Sequence, residues 1–380
     1  MRQHVSASRR QIPWIVMADG SFFTPSDANY ASAPRLPTLP SNTTCIASSD
    51  EWLALHFTDA KKMHSYSLHN PFTGATVPLP ELDAVVGDAS KLFMIRKVLL
   101  RSTPSDIIAV MTNNWNHPLI LIRPGKGVWL PEPQSAPFIY IVDIAFLGDQ
   151  LYGITEAEDL VYLGIDFDGD GIPTIASIEH LIRHPRGYYH CGAWCYDHDN
   201  CESGISKGKV TNIDEDHIEV PSKEDIEERI LDELGEKTGD GMILEGTTCW
   251  LGDEVPHEAK TLITLNRHLV KSRGKLLMVK RQLHWPVYGM NFTHKVEVYE
   301  ADVNGDAHWV PISDGLGSQA LLISRFFCKS VSTFEDVDQD ALHFIDTGEK
   351  YDMKSQSMSP TWREIDYHAS TWIFSPGLVV

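Results

Sequence analysis

The sequence predicts an all-β fold: a Kelch-like β-propeller of about six to seven four-stranded blades, interrupted by one acidic, partly helical insertion. Two recurring phrases and a pair of apolar ends predict it. The first phrase is an apolar strand, a Gly/Asn/Asp turn and a short strand closing on a hydrophobic residue and proline. It runs from Tyr66 through Asn70 and Gly74 to Val77-Pro78, and from Leu119 through Gly125 and Gly127 to Trp129-Leu130-Pro131. It returns from Val161 through Asp168 and Gly171 to Ile172-Pro173, and from Val296 through Asn304-Gly305 to Trp309-Val310-Pro311. The closing prolines lie 53, 42 and 138 residues apart. A hairpin unit recurring at roughly 40 to 50 residues marks a propeller blade, because a lone hairpin cannot bury its apolar face and must stack on neighbours. The second phrase places a turn just before an alternating apolar strand, at Ser49–Leu55, Leu147–Ile154, Arg273–Val279 and Asp338–Phe344. These read as the inner hairpins of blades. Leu53 and Leu151, 98 residues apart, are then separated by two blades.

Taken in order, residues 1–11 read as a disordered basic terminus with Arg2, Arg9 and Arg10, and residues 12–380 as one propeller domain. Ile12 to Met17 forms the first strand and stops at the turn Asp19-Gly20. Thr371-Trp372-Ile373-Phe374 forms the last. A propeller completes its final blade with strands from both ends of the chain, since an open sheet edge invites aggregation, so these two strands are expected to meet. The regular pattern fails at about 185–259, an irregular acidic insertion. Inside it Ser222 caps a helix over Lys223 to Leu234, with Ile226, Ile230 and Leu234 on one stripe and Gly235 as the stop. The segment reads as a solvated loop with a helical turn packed on the rim, the alternative being an arm that docks a partner.

The 380 residues carry a net charge of −20, which argues against a nucleic-acid partner, because phosphate binding draws on clustered Lys and Arg. Much of that charge is local: Asp214 to Asp240 holds twelve carboxylates against Lys223, Arg229 and Lys237. Cys45, Cys191, Cys195, Cys201, Cys249 and Cys328 are few and unevenly spread, which fits a reducing intracellular setting, cytoplasmic, nuclear or both. No apolar run is long enough to span a bilayer, so no membrane partner is expected.

Chemistry finds little foothold. Asp166-Phe167-Asp168-Gly169-Asp170-Gly171 opens like a calcium loop, but Ser177 stands where a bidentate Glu is required, and the segment falls at a hairpin turn of the recurring phrase. His190, Cys191, Cys195, His198 and Cys201 could ligate zinc, yet only Cys191 and Cys195 have pair-like spacing. Gly204-Ile205-Ser206-Lys207-Gly208 matches a nucleophile elbow in letters but lacks the strand before and the helix after. No catalytic residue, cofactor or metal site is therefore expected. Two candidates for partner binding remain: Trp115 in the polar run Asn113 to His117, and Trp285 in His284-Trp285-Pro286, aromatics in turn-like contexts of the kind favoured at binding hot spots. Capping of a neighbouring blade is the alternative for both.

Several phrases resemble a known family. Pro13 to Phe23, Ser48 to Leu55, Asn70-Pro71-Phe72-Thr73-Gly74 with Val77-Pro78-Leu79-Pro80, and Asp143-Ile144-Ala145-Phe146 with Leu151-Tyr152 are similar to the plant KIB-type β-propeller family, domain of unknown function 295. Leu269 to Val279, Val298 to Asp302 with Trp309-Val310-Pro311, and Lys329 to Ser332 continue the resemblance, which spans Trp14 to about Phe374. Many members carry an N-terminal F-box that recruits a Skp adaptor and a cullin. Here the resemblance begins about a dozen residues from Met1, without room for the helices of an F-box. The resemblance thus implies a non-enzymatic protein-binding propeller. The alternative is the substrate-recognition subunit of an SCF-type ubiquitin ligase, its F-box missing from this chain or supplied in trans. A weaker alternative is a small-molecule hydrolase working in the propeller channel, which needs carboxylates or histidines converging there.

Overall fold

The computed structural model describes residues 13–24, 33–40, 42–61, 63–86, 94–114, 116–183, 247–249, 262–285, 291–324, 327–332, 337–361 and 370–374. Within them the chain forms six sheets arranged as the blades of a propeller. Strand β1 (Trp14–Met17) and strand β2 (Phe22–Phe23) belong to the closing blade, and β3 (Thr43–Ser49), β4 (Trp52–Thr58), β5 (His64–His69) and β6 (Thr76–Pro78) make blade 1 in chain order. Helix α1 (Pro80–Val86) leads to blade 2, made of β7 (Ile95–Leu100), β8 (Ile108–Thr112), β9 (Leu119–Arg123) and β10 (Gly127–Trp129). Blade 3 is β11 (Ile141–Leu147), β12 (Gln150–Thr155), β13 (Leu160–Phe167) and β14 (Pro173–Ile182).

The next two blades each hold five strands. Blade 4 is β15 (Thr247–Cys249), β16 (Leu262–Ser272), β17 (Lys275–Trp285), β18 (Phe292–Asp302) and β19 (His308–Pro311), and β15 pairs with β16 on the side away from β17. Blade 5 holds β20 (Gln319–Ser324), β21 (Phe327–Ser332), β22 (Ala341–Phe344), β23 (Glu349–Asp352) and β24 (Ser357–Pro360), in the spatial order β21-β20-β22-β23-β24. The last strand, β25 (Ser370–Ile373), pairs antiparallel with β1, Trp14 opposite Ile373 and Met17 opposite Ser370, and β2 completes blade 6. The ends of the propeller meet as the sequence predicts, and the blade count resolves to six.

Local chemistry explains why the recurring phrase folds as it does. Each copy is the last two strands of a blade, and in blades 1, 3 and 4 its turn is stitched by an Asn or Asp side chain that accepts backbone N–H groups two to four residues on. Asn70 Oδ1 accepts from Phe72 and Thr73, Asp168 Oδ1 from Asp170 and Ile172, and Asp302 Oδ1 from Asn304. Asp352 does the same in blade 5, accepting from Lys354 and Ser355. In blade 1 the stitched turn also needs Gly74, whose φ of 75° is strained for any residue with a Cβ.

Packing follows from the alternation of the strands. Six apolar clusters form, one at each junction between adjacent blades. Ile108, Val110, Ile120 and Ile122 of blade 2 meet Ala54 and Leu68 of blade 1, whereas Ala109, Leu119 and Leu121, pointing the other way, meet Leu151, Val161 and Leu163 of blade 3. Both faces of each blade are buried against a neighbour, which is why these strands read as continuous apolar runs. At roughly 1.5 to 3 kcal/mol for each fully buried large aliphatic or aromatic side chain, the stacking of blades is the main source of stability. The ring closes through Trp372 and Phe374, which lie in the cluster shared by blades 5 and 6.

Three expectations are corrected. The blades are not uniformly four-stranded. Asp338–Phe344 does not enter an inner hairpin, because β20 intervenes and pairs with β22 in parallel, Ala320 opposite Ala341, with β21 on its other side. Within the irregular interval at 185–259 the described residues, 247–249, form strand β15, while the helix read over Lys223 to Leu234 lies outside the described residues. Among the described residues no helix is long and apolar enough to cross a membrane.

Candidate functional site

The innermost strands of the blades surround the axis, and three of them contain a β-bulge, at Cys45/Ala47 in β3, Ile95/Lys97 in β7 and Ile141/Asp143 in β11. A bulge re-aims the residue beside it, and in β7 and β11 that residue is charged. Lys97 and Asp143 are both buried and face each other, with Nζ 2.8 Å from Oδ1 and 3.0 Å from Oδ2. The same ammonium donates to the Ile144 carbonyl at 2.9 Å. Asp143 also accepts the N–H of Ile144 at 2.8 Å and the N–H of Leu269 at 2.7 Å. Each carboxylate oxygen thus holds one backbone amide and shares the ammonium, leaving the carboxylate bound within the fold.

Two further ionisable groups feel this pair. Burial lowers the His268 imidazole to about 4, with the field of Asp143 opposing and that of Lys97 reinforcing the shift. Burial likewise pushes the Cys328 thiol above its ordinary range, so it stays protonated and is a poor nucleophile at neutral pH. The polar centre of the ring therefore holds a neutral imidazole, a thiol and a saturated ion pair. A hydrolytic site needs a free carboxylate or a basic imidazole, and these four groups supply neither.

The turns joining second to third strands gather on one face of the ring, together with the entries to the first strands. Three of the large apolar side chains left exposed sit there: Met63 (61 %) in the β4–β5 turn, Phe292 (43 %) at the start of β18, and Tyr140 (37 %) just before β11. On the opposite face, Val303 stands in the β18–β19 turn, and Phe167 is flanked by the Arg123 guanidinium at 4.8 Å and that of Arg101 at 5.7 Å. Ile178 and Val310 lie on outermost strands.

Two turns of the first face are anchored to blade 4. Arg281, on β17 and almost fully buried, reaches the β22–β23 turn, donating from Nη1 to the Asp346 carboxylate at 2.7 and 2.8 Å and from Nη2 to Thr347 at 2.7 Å. Its Nε donates to Thr293 at 2.9 Å, and its guanidinium lies 4.1 Å from the centre of the Phe344 ring. Glu158, in the β12–β13 turn, receives Arg267 at 3.1 Å and Lys280 at 2.8 Å, while Trp309 Nε1 donates to its backbone carbonyl at 2.7 Å. Burial pulls the Glu158 carboxyl upward, but Lys280 and Arg267 hold it below the ordinary value. Blade 4 therefore fixes the turns on either side of it.

The residues singled out from sequence fall as follows. Trp285 is the final residue of β17, with Leu262 as its Cα partner, on the strand end leading into the turn on this same face. Trp115 falls between β8 and β9 and lies outside the described residues, as do His190, Cys191, Cys195, His198, Cys201 and the Gly204–Gly208 segment. Asp166–Gly171 forms the stitched β13–β14 turn, in which Asp168 accepts two backbone amides, so its Asp and Gly residues have a backbone role. Among the described residues no group of three or more His, Cys, Asp and Glu is placed to hold a metal ion. Sequence reading missed Lys97, Asp143, Arg281 and Glu158. The available signal was charge inside an otherwise apolar inner strand, Arg96 and Lys97 in Ile95-Arg96-Lys97-Val98 and Asp143 in Ile141-Val142-Asp143-Ile144.

A family model described as KIB1-4 beta-propeller matches residues 22–359. No curated protein matches the chain.

Proposed function

The chain belongs to the KIB1-4 β-propeller family, and on that premise we propose that it is a non-enzymatic module that binds a protein partner through one face of the ring. The observation that carries this reading is the exposure of Met63, Tyr140 and Phe292, one each from blades 1, 3 and 4, on the face where Arg281 and Glu158 tie down turns on either side of blade 4. Exposed apolar and aromatic side chains on rigid supports suit recognition, because little conformational entropy is lost on binding. Trp285, at the strand end beside Phe292 in the same blade, extends the proposal to one of the sequence candidates. The engaged Asp143 carboxylate and the neutral His268 support the absence of catalysis at the centre.

The test is affinity capture from cell extract with the full chain as bait, run beside a Met63→Asp/Phe292→Asp double variant and a Val303→Asp variant on the opposite face. The proposal expects a reproducible protein partner that the double variant loses and Val303→Asp keeps. Equal retention by all three would contradict it. Recovery of a Skp adaptor and a cullin among the retained proteins would make the module a substrate receptor of a ubiquitin ligase.

A further inference from the structure

Blades 4 and 5 enclose a cleft of about 560 Å³ on the face opposite Met63 and Phe292. One wall is the β16–β17 hairpin, with Arg273, Lys275 and Leu277, and the other is the link from β19 to β20, with Ile312, Asp314 and Leu316. Leu277 and Leu316 are buried in the apolar cluster of this junction, half-buried Ile312 packs against it, and Val310, one of the exposed apolar side chains, lines the cleft from the outermost strand. The link is anchored to blade 5, because the Asp340 carboxylate accepts the N–H groups of Leu316 at 2.7 Å and Ser318 at 3.1 Å and pairs with Lys354 at 3.0 Å. Arg273 lies over the link with Nη1 3.5 Å from the Gly317 carbonyl, and glycine is needed there, since a Cβ at 317 would collide with the guanidinium.

The charges of the cleft are unequally engaged. Lys275 is paired with Glu300, whereas among the described residues Arg273 has no carboxylate partner and the exposed Asp314 no cation. We propose that the cleft binds an extended peptide segment of another protein, in which aliphatic side chains stand beside one acidic and one basic residue. The aliphatic groups cover Val310, Ile312 and Leu316, the acidic side chain takes the guanidinium of Arg273, and the basic one takes Asp314. Arginine suits the first contact because its planar fork matches a carboxylate. The volume falls within the roughly 300 to 1,000 Å³ of ligand-binding clefts. Charge complementarity selects this occupant over others: a simple anion leaves the apolar lining bare, a purely apolar ligand leaves Arg273 and Asp314 unmet, and a nucleic-acid backbone is repelled by Asp314 and Glu300. The site lies on the face opposite the proposed partner surface and does not rest on that reading.

The experiment titrates the full chain against three pools of dye-labelled, amidated hexapeptides, followed by fluorescence anisotropy and repeated on Arg273→Gln and Asp314→Asn. The first pool places one Glu, two Leu and one Lys among glycines in every order, the second carries Gln for Glu, and the third carries Ser for Leu. The expected result is that the first pool binds tightest and that either exchange weakens binding by about tenfold, the scale of one charge-assisted hydrogen bond or of the lost aliphatic burial. Arg273→Gln, a change at an exposed side chain, should bind the Glu and Gln pools alike while still preferring Leu to Ser. Asp314→Asn should weaken the first pool and leave the preference for Glu in place. Failure of the first pool to bind, equal binding of all three, or a preference for Glu that survives Arg273→Gln would overturn the proposal.

Discussion

Lys97 and Asp143 face each other in the first strands of blades 2 and 3, and the Asp143 carboxylate also holds the Leu269 amide of blade 4, so one side chain joins three consecutive blades. Removing one partner strands the other charge in the interior, which costs about 3 to 5 kcal/mol. Asp143→Ala and Lys97→Ala should each lose stability on that scale in denaturant unfolding. The double variant Lys97→Met/Asp143→Leu should lose clearly less than their sum, because no charge is left buried. Additive losses would show that the two residues act independently.

Acid should weaken the fold well before its carboxylates titrate. His343 is buried, and burial depresses its pKa from about 6.5 to about 4; His268 is depressed alike. Between those values the unfolded chain binds a proton that the folded chain refuses, so stability is full above about 6.5 and falls as pH drops toward 4. The slope is about 1.4 kcal/mol per pH unit for a fully buried site and less for His268, which keeps some solvent contact. Unfolding free energies measured from pH 7.5 to 4.5 should show this loss, and His268→Gln should make it shallower. A flat profile over that range would contradict the assignment.

Arg281 should matter for the turn it holds as well as for global stability. Arg281→Met preserves length but leaves Asp346 without its guanidinium, and a loss of about 3 kcal/mol or more is expected from breaking a buried pair. Amide hydrogen exchange should speed up in residues 345–348 beyond the change elsewhere in blade 5. Uniform acceleration would assign Arg281 a general packing role.

Closure rests on Trp372, which is fully buried where β25 joins β1. Trp372→Ala should cost about 3 to 5 kcal/mol, the range for large aromatic truncation in a core. The loss should appear as a lower denaturant midpoint with the fold retained at low denaturant. A cost below 1 kcal/mol would mean that the ring does not depend on this strand.

How much of this was legible in sequence depended on the distance between partners. The outer hairpins were readable because Asn70, Asp168 and Asp302 shape their turns through bonds to residues two to four positions on. The equivalent hairpin of blade 5 escaped notice because its turn, Met353 to Gln356, has no glycine and places Gln356 at a φ of 50° instead. Closure was readable because Ile15 and Trp372 lie in apolar strands at the two ends. The polar centre was not: Lys97 and Asp143 are 46 residues apart, Asp143 and Leu269 are 126 apart, and only the stacking of blades brings them together. The anchoring of turns by Arg281 was hidden for the same reason, since Asp346 lies 65 residues away.

The most direct measurement is hydrogen–deuterium exchange on the chain with and without its captured protein partner. The account predicts protection concentrated at Met63, Tyr140 and Phe292 and their turns, with the Val303 turn and the β13–β14 turn unchanged. Protection confined to the Val303 face, with Met63 and Phe292 exchanging as in the free chain, would contradict it.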